Sequence, residues 1–216
     1  MHNEPIETVT SPAHYENEVF VEEQTLKIYM DTDPQNPRTE YDNFGHMVCF
    51  HGRYSLGDEG HGIRQAVDFG SWKELEKYLI RRKGAVVILP MYMYDHSGIT
   101  VRTHPFNDGW DSGQIGFTYA TRKEILENFP ITKPKKLTPD LIQKARGLLI
   151  SEVQTYDDYL TGNVYGYVLE DINGDELCSC WGYSGDRATE YIKAELHMHL
   201  IQDTTQVGGA TGENCI

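Results

Sequence analysis

The chain reads as an α+β protein, a single domain with an antiparallel or mixed sheet of about seven strands and about four helices. Three observations predict it. Strand-like runs follow one another as hairpin neighbours separated by turn residues. Helical periodicities stand apart from them, with none of the sustained β-α-β alternation that a doubly wound parallel sheet requires. Finally, 216 residues with 39% in the hydrophobic set and 24% charged supply enough apolar side chains for one good core, which excludes collagenous, disordered and membrane-embedded classes.

Taken in order, residues 1–18 are polar, acidic and aperiodic, and are expected to be mobile. Thr25–Asp31 then alternates Leu26, Ile28 and Met30 against Lys27 and Tyr29, the period of a half-buried strand. Pro34 and Pro37 break it, and a long connection leads to a second strand at His46–His51. Ser71 and Glu74 form a capping box that opens a helix carrying Trp72, Leu75, Tyr78 and Leu79, and Gly84 closes it. The three cations before that glycine, Arg81, Arg82 and Lys83, compensate the helix dipole. Ala85–Met93 is apolar on both faces, as a central strand is, and Pro90 interrupts its ladder or ends it on one side. Ile99–Phe106 completes a hairpin, Gln114–Tyr119 adds a strand, and Thr121 with Glu124 caps a short helix to Phe129. Thr138, with Pro139 at the first position, starts a longer helix with an apolar stripe of Leu141, Ile142, Ala145, Leu148, Leu149 and Val153. Asn173-Gly174 predicts a two-residue turn between the strands bearing Tyr165, Tyr167 and Leu169 and Leu177, Ser179 and Trp181. An amphipathic helix over 186–201 ends the domain, which therefore spans 19–203, and residues 204–216 form a flexible tail.

The formal charge is −14, from 33 acidic and 19 basic residues. Such a chain is repelled by phosphate backbones and anionic membranes, so its average surface is expected to meet neither. The charge is uneven: residues 1–60 and 151–216 are strongly acidic, and the middle is basic, above all 122–146, and direct nucleic-acid contact is not expected except through that stretch. Cys49, Cys178, Cys180 and Cys215 show no scaffold spacing, the N-terminal residues resemble no secretory signal, and the longest apolar run, Ala85–Tyr94, is too short to span a bilayer. A cytoplasmic protein with reduced thiols is expected.

Motifs for chemistry are sparse. His46, Cys49 and His51 fall within six residues, but a strand puts His46 on the face opposite the other two. A metal-assisted hydrolase or nucleotide-processing enzyme would use His51, Asp95 and His96, with Asp111 beside them. Cys49 beside a histidine is the one nucleophile arrangement, and a buried strand cysteine is its plainer reading. Gly182–Gly185 lacks the second spacing of a nucleophile elbow, and Gly57–Gly62 lacks the lysine and the strand-to-helix context of a phosphate loop. No cofactor motif is present, and none is expected to bind.

Aromatic residues interleaved with carboxylates stand out more. Tyr occurs 14 times, and the clusters Tyr41–Asp42, Tyr94–Asp95, Trp110–Asp111 and Tyr156–Asp157–Asp158 combine rigid contact area with charge that selects a basic partner. Those nine residues are the candidate partner-binding set.

The strings DTDPQNPRTEYDNFGHMVCFHGRYSLGD, YDHSGITVRTHPF, WDSGQIGF, YDDYLTGNVYGYV and CSCWGY resemble a family of uncharacterised accessory proteins encoded by bacteriophages, plasmids and integrative elements. The resemblance covers roughly Leu26 to Gly185 and implies an accessory protein in the cytoplasm of a bacterial host. Joined to the charge, it leads to the expectation of a counter-defence protein that inhibits a restriction or CRISPR component by binding its basic, nucleic-acid-handling surface, as a DNA mimic or a block to access.

Overall fold

The computed structural model describes residues 4–16, 19–63, 69–107, 109–129 and 136–196. In chain order the elements are β1 (Glu7–Ser11), β2 (His14–Glu16), β3 (Val19–Val21), β4 (Gln24–Met30), α1 (Pro37–Glu40), β5 (His46–Cys49), α2 (Trp72–Tyr78, continued by a π turn over Leu79–Lys83), β6 (Ala85–Asp95), β7 (Ile99–Arg102), β8 (Ser112–Thr121), α3 (Arg122–Asn128), α4 (Pro139–Thr161), β9 (Val164–Glu170), β10 (Glu176–Ser184) and α5 (Ala188–Glu195). The mixed α+β class is as expected, but the strands form three sheets rather than one of about seven: β1-β4-β9-β10, β2-β3 and β5-β8-β6-β7. All pairings are antiparallel. The chain divides into two compact units, inner and outer by their place along the sequence: an inner one of Asn36–Thr161 and an outer one made of the flanking segments Met1–Gln35 and Gly162–Ile216.

In the inner unit the central sheet is covered on both faces. Met47, Cys49, Met91, Met93, Val101 and Ile115 meet Val153 and Tyr156 of α4, while Val87, Leu89 and Ala120 meet its Leu141, Ala145 and Leu149. The opposite face places Val48, Phe117 and Tyr119 against Leu75 and Leu79. Pro90 is accommodated in β6 because the β7 ladder begins only at Tyr92, so no strand on that side needs a hydrogen from position 90. Asp157 of α4 accepts from the Val101 backbone N–H at 2.7 Å and the Thr100 hydroxyl at 2.6 Å, which blunts the exposed edge of β7.

The helix starts follow the sequence signals. The Ser71 hydroxyl accepts from Glu74 N–H, though the Glu74 carboxylate reaches Gly70 N–H rather than that of Ser71. At Thr121 the capping box is complete, and Glu124 also meets the His46 ring at 3.1 Å. Burial raises the Glu124 pKa, but the bonds from Thr121 and His46 outweigh it and hold the carboxyl below its ordinary value. A carboxyl lowered on folding stabilises the fold above its unfolded pKa, and the benefit is lost as pH falls through the folded value. Glu124→Ala is therefore expected to cost about 1 kcal/mol at pH 7, and urea midpoints measured down to pH 3 are expected to converge with those of the parent.

The outer unit corrects two expectations. Glu7–Ser11, inside the stretch read as mobile, is strand β1, paired with β4 through Val9 opposite Leu26. Asn173-Gly174 does not form a two-residue turn. Asp171 and Asp175 close a longer loop in which only Gly174 takes positive φ, and the Asp171 carboxylate accepts from the N–H groups of Asn173 and Asp175 at 2.8 Å each. That side-chain turn outcompetes the mirror-image turn because it satisfies two backbone donors. One face of the outer sheet packs Val9, Leu26, Ile28, Tyr167 and Leu169 on Ile192 of α5. The expected ends of the last helix and the tail, 197–203 and 204–216, lie outside the described residues. Among the described residues, no helix is long and apolar enough to cross a membrane.

Candidate functional site

The nine predicted contact residues separate into three places. Tyr94, Asp95, Trp110 and Asp111 gather around the β6–β7 hairpin and the start of β8. The His96 ring meets Asp111 at 3.2 Å, and the Asp95 backbone N–H donates to the Asp111 carbonyl at 2.9 Å. Arg53 holds the Asp95 carboxylate, and its guanidinium lies over Tyr54, whose other neighbour is the stacked His51 ring. Tyr94 stacks on both His96 and Phe106, and Arg102 covers Phe106 with its guanidinium carbon 3.6 Å from the ring centre. Trp110 projects from this cluster with 97% of its surface exposed. Tyr41 and Asp42 are also exposed, but they line a small cleft of about 160 Å³ beside α4 with Leu148, Ser151 and Thr155.

Tyr156 and Asp158 are not contact residues. Both are buried, at 2% and 4% exposure, and Tyr156 continues the apolar stripe of α4 three residues beyond Val153. The Tyr156 hydroxyl accepts the Gly57 N–H at 3.0 Å, and Asp157 is spent on β7. Tyr156 thus holds the Gly57 loop and Asp157 the β7 edge, and the helical spacing from Val153 is the signal in the sequence that marks Tyr156 as core.

What shapes this end of the inner unit is a residue that sequence reasoning passed over, Arg38. It is 8% exposed, and its guanidinium donates to Asp58 at 2.8 and 2.6 Å, to Asn43 at 2.7 Å and to the Gly45 carbonyl at 2.8 Å. Glu152 of α4 lies 3.5 Å away and accepts the backbone N–H groups of Phe44 and Gly45. The second Asp58 oxygen accepts Met47 N–H at 2.9 Å. One guanidinium thus ties the proline-rich connection, the glycine-rich loop and the edge strand β5 to the long helix. Nothing local predicts it, since the partners lie 5, 20 and over 100 positions away.

Beyond the end of β5, against the segment 50–61, lies an open groove of about 1020 Å³ lined by His51, Arg53, Tyr54, His61, Trp72 and Gln114. A second cavity of about 320 Å³ shares His51, Arg53 and Gln114 and reaches Asp95, Trp110 and Asp111. The Nδ1 atom of His61 accepts Ile63 N–H at 3.1 Å. Burial lowers the pKa of this ring further than Asp58 raises it, and Lys83 adds to the lowering, so the ring is neutral at pH 7. The groove presents aromatic faces and polar groups suited to binding.

It is poorly equipped for the chemistry considered from sequence. His51, Asp95 and Asp111 line the second cavity and the His96 ring meets Asp111, but among the described residues no three His, Cys, Asp or Glu side chains are placed to hold a metal. Cys49 is buried beside Met91, and burial, with the nearby Asp58 charge, pushes its thiol up to about 12, so the thiolate a nucleophile needs is not formed near neutrality. In the basic stretch 122–146, Lys123 and Lys144 face Glu127 and Asp140 one turn away, and Lys133 and Lys135 lie outside the described residues.

The charge itself sorts by unit. Most of the carboxylates of the two acidic ends belong to the outer unit, which carries 17 Asp and Glu against 3 Lys and Arg, and the inner unit carries 16 of each. The whole −14 is therefore on the outer unit. Its three cations are engaged there, Lys27 with Glu170, Arg187 with Glu190 and Lys193 with Glu7. The predicted aromatic anchors and the predicted charge thus fall in different units. Comparison of the chain with protein-family models, with curated proteins and with solved structures finds no match.

Proposed function

We propose that this chain is an accessory protein of a mobile element which, in the bacterial cytoplasm, binds and inhibits a host-defence component of the restriction or CRISPR type by occupying its basic, nucleic-acid-handling surface. The observation that carries the reading is the concentration of the chain's entire net charge on the outer unit, where each cation already has a carboxylate partner. Carboxylates held on a folded surface carry the same sign of charge as duplex phosphates, and they steer a basic partner over distances of about a Debye length. Tyr94, Trp110 and Tyr41 supply aromatic contact area from the inner unit, with Asp95, Asp111 and Asp42 beside them.

The test is a pull-down with the full chain from bacteria that carry restriction and CRISPR systems, followed by titration of the captured protein. A nucleic-acid-binding partner is expected, released by competing duplex DNA. Its affinity is expected to fall at least tenfold between about 50 and 200 mM salt, as phosphate-binding surfaces do. Capture of no such partner, or binding indifferent to salt, overturns the proposal.

A further inference from the structure

The outer sheet has a second face. Strand alternation puts Thr10, Thr25, Lys27, Tyr29, Gly166, Val168, Glu170 and Trp181 opposite the side packed on α5. Trp181, on the edge strand β10, pairs with Gly166, which in turn pairs with Tyr29 on β4. The indole lies flat across that glycine: a Cβ at position 166 would sit 2.1 Å from the Trp181 ring. It reaches toward Tyr29, with ring centres 6.1 Å apart and the planes tilted by 33°. The result is an aromatic shelf whose indole is still 46% exposed.

We propose that this shelf is the docking point for an arginine side chain of the basic partner protein. The inference rests on the reading of the outer unit as a surface for such a partner, and adds where it anchors and by which residue. The electron-rich face of an indole attracts a cation, and a planar guanidinium stacks on it better than an ammonium does. The cation must come from outside this unit, because Lys27 next to Tyr29 is held by Glu170 at 2.6 Å, Arg187 lies over Tyr191 with its charge on Glu190, and Lys193 is bound to Glu7. Charge complementarity selects the occupant. A unit with 17 carboxylates and 3 cations repels nucleic acid and gains long-range attraction only for a basic chain.

Octa-arginine and octa-lysine peptides, equal in charge, test this on the full-length chain by calorimetric titration at low and moderate salt. Octa-arginine is expected to bind about five- to twentyfold tighter. Trp181→Ala is expected to weaken it about five- to twentyfold and leave octa-lysine unchanged, in line with a desolvated cation–π contact. Trp181→Phe is expected to give an intermediate loss, which guards against a folding defect in the alanine variant. Trp110→Ala, in the other unit, is expected to leave the preference intact. If both peptides bind with strong salt dependence but neither Trp181 variant alters the arginine preference, the shelf is wrong and the acidic-surface reading stands. If neither peptide binds, or salt has no effect, both fall.

Discussion

Replacing Arg38 with methionine is expected to lower stability by about 3–5 kcal/mol at pH 7, the range for breaking a buried ion pair by removing one partner. The variant keeps most of the side-chain volume but leaves Asp58 and Glu152 facing each other without their shared cation. The pH dependence identifies the cause. Burial already raises the Glu152 carboxyl above its ordinary value, although Arg38 and the N–H groups of Phe44 and Gly45 oppose the shift. A carboxyl raised on folding favours the folded state below its unfolded pKa, and that contribution is lost as pH rises through the folded value. Without Arg38 the shift grows, so Arg38→Met is expected to regain part of its loss between pH 7 and pH 5, while the parent changes less. Urea midpoints at the two pH values check this. Stability within about 1 kcal/mol of the parent at pH 7 would show that the cluster does not hold the loops.

Gly116→Ala is expected to cost about 3 kcal/mol, the upper end of ordinary overpacking. A Cβ there would lie 1.9 Å from the Val48 carbonyl oxygen and 2.9 Å from the Cys49 Cα. Both are backbone atoms of the paired strand, so no rotamer change relieves the clash, and β5 must move off β8. Urea denaturation measures the loss, and hydrogen exchange at the amides of Met47, Val48 and Cys49 is expected to accelerate. Gly113→Ala in the same strand meets nothing within 4 Å and is expected to change stability by less than about 0.5 kcal/mol.

The two substitutions mark where sequence reading reaches its limit. Caps at Ser71, Thr121 and Thr138 and the alternation in β4 are legible because each is a local event, decided within a few residues. Strand β1 is missed because Glu7–Ser11 offers Val9 as its sole apolar side chain and gains its order from β4. Arg38 is missed for the same reason: a lone arginine in a proline-rich loop reads as a solvated cation until Asp58, Asn43 and Glu152 surround it. Tyr156 carries a local signal, its helical spacing from Val153, beside two carboxylates whose charge points to the surface, and packing places its ring in the core.

By itself the sequence determined the α+β class, most of the helix starts and hairpins, and a net charge of −14. Where that charge sits was decided by the tertiary structure alone. Strand pairing is non-local, and Thr25 lies opposite Glu170, so strands from the two acidic ends join one sheet, while the basic middle is neutralised by the carboxylates of 36–60 and 151–161 that fold in the same unit with it. Hydrogen-bond registry between strands so far apart leaves no trace in composition or periodicity, because it depends on which chain segments meet once the apolar faces have been buried.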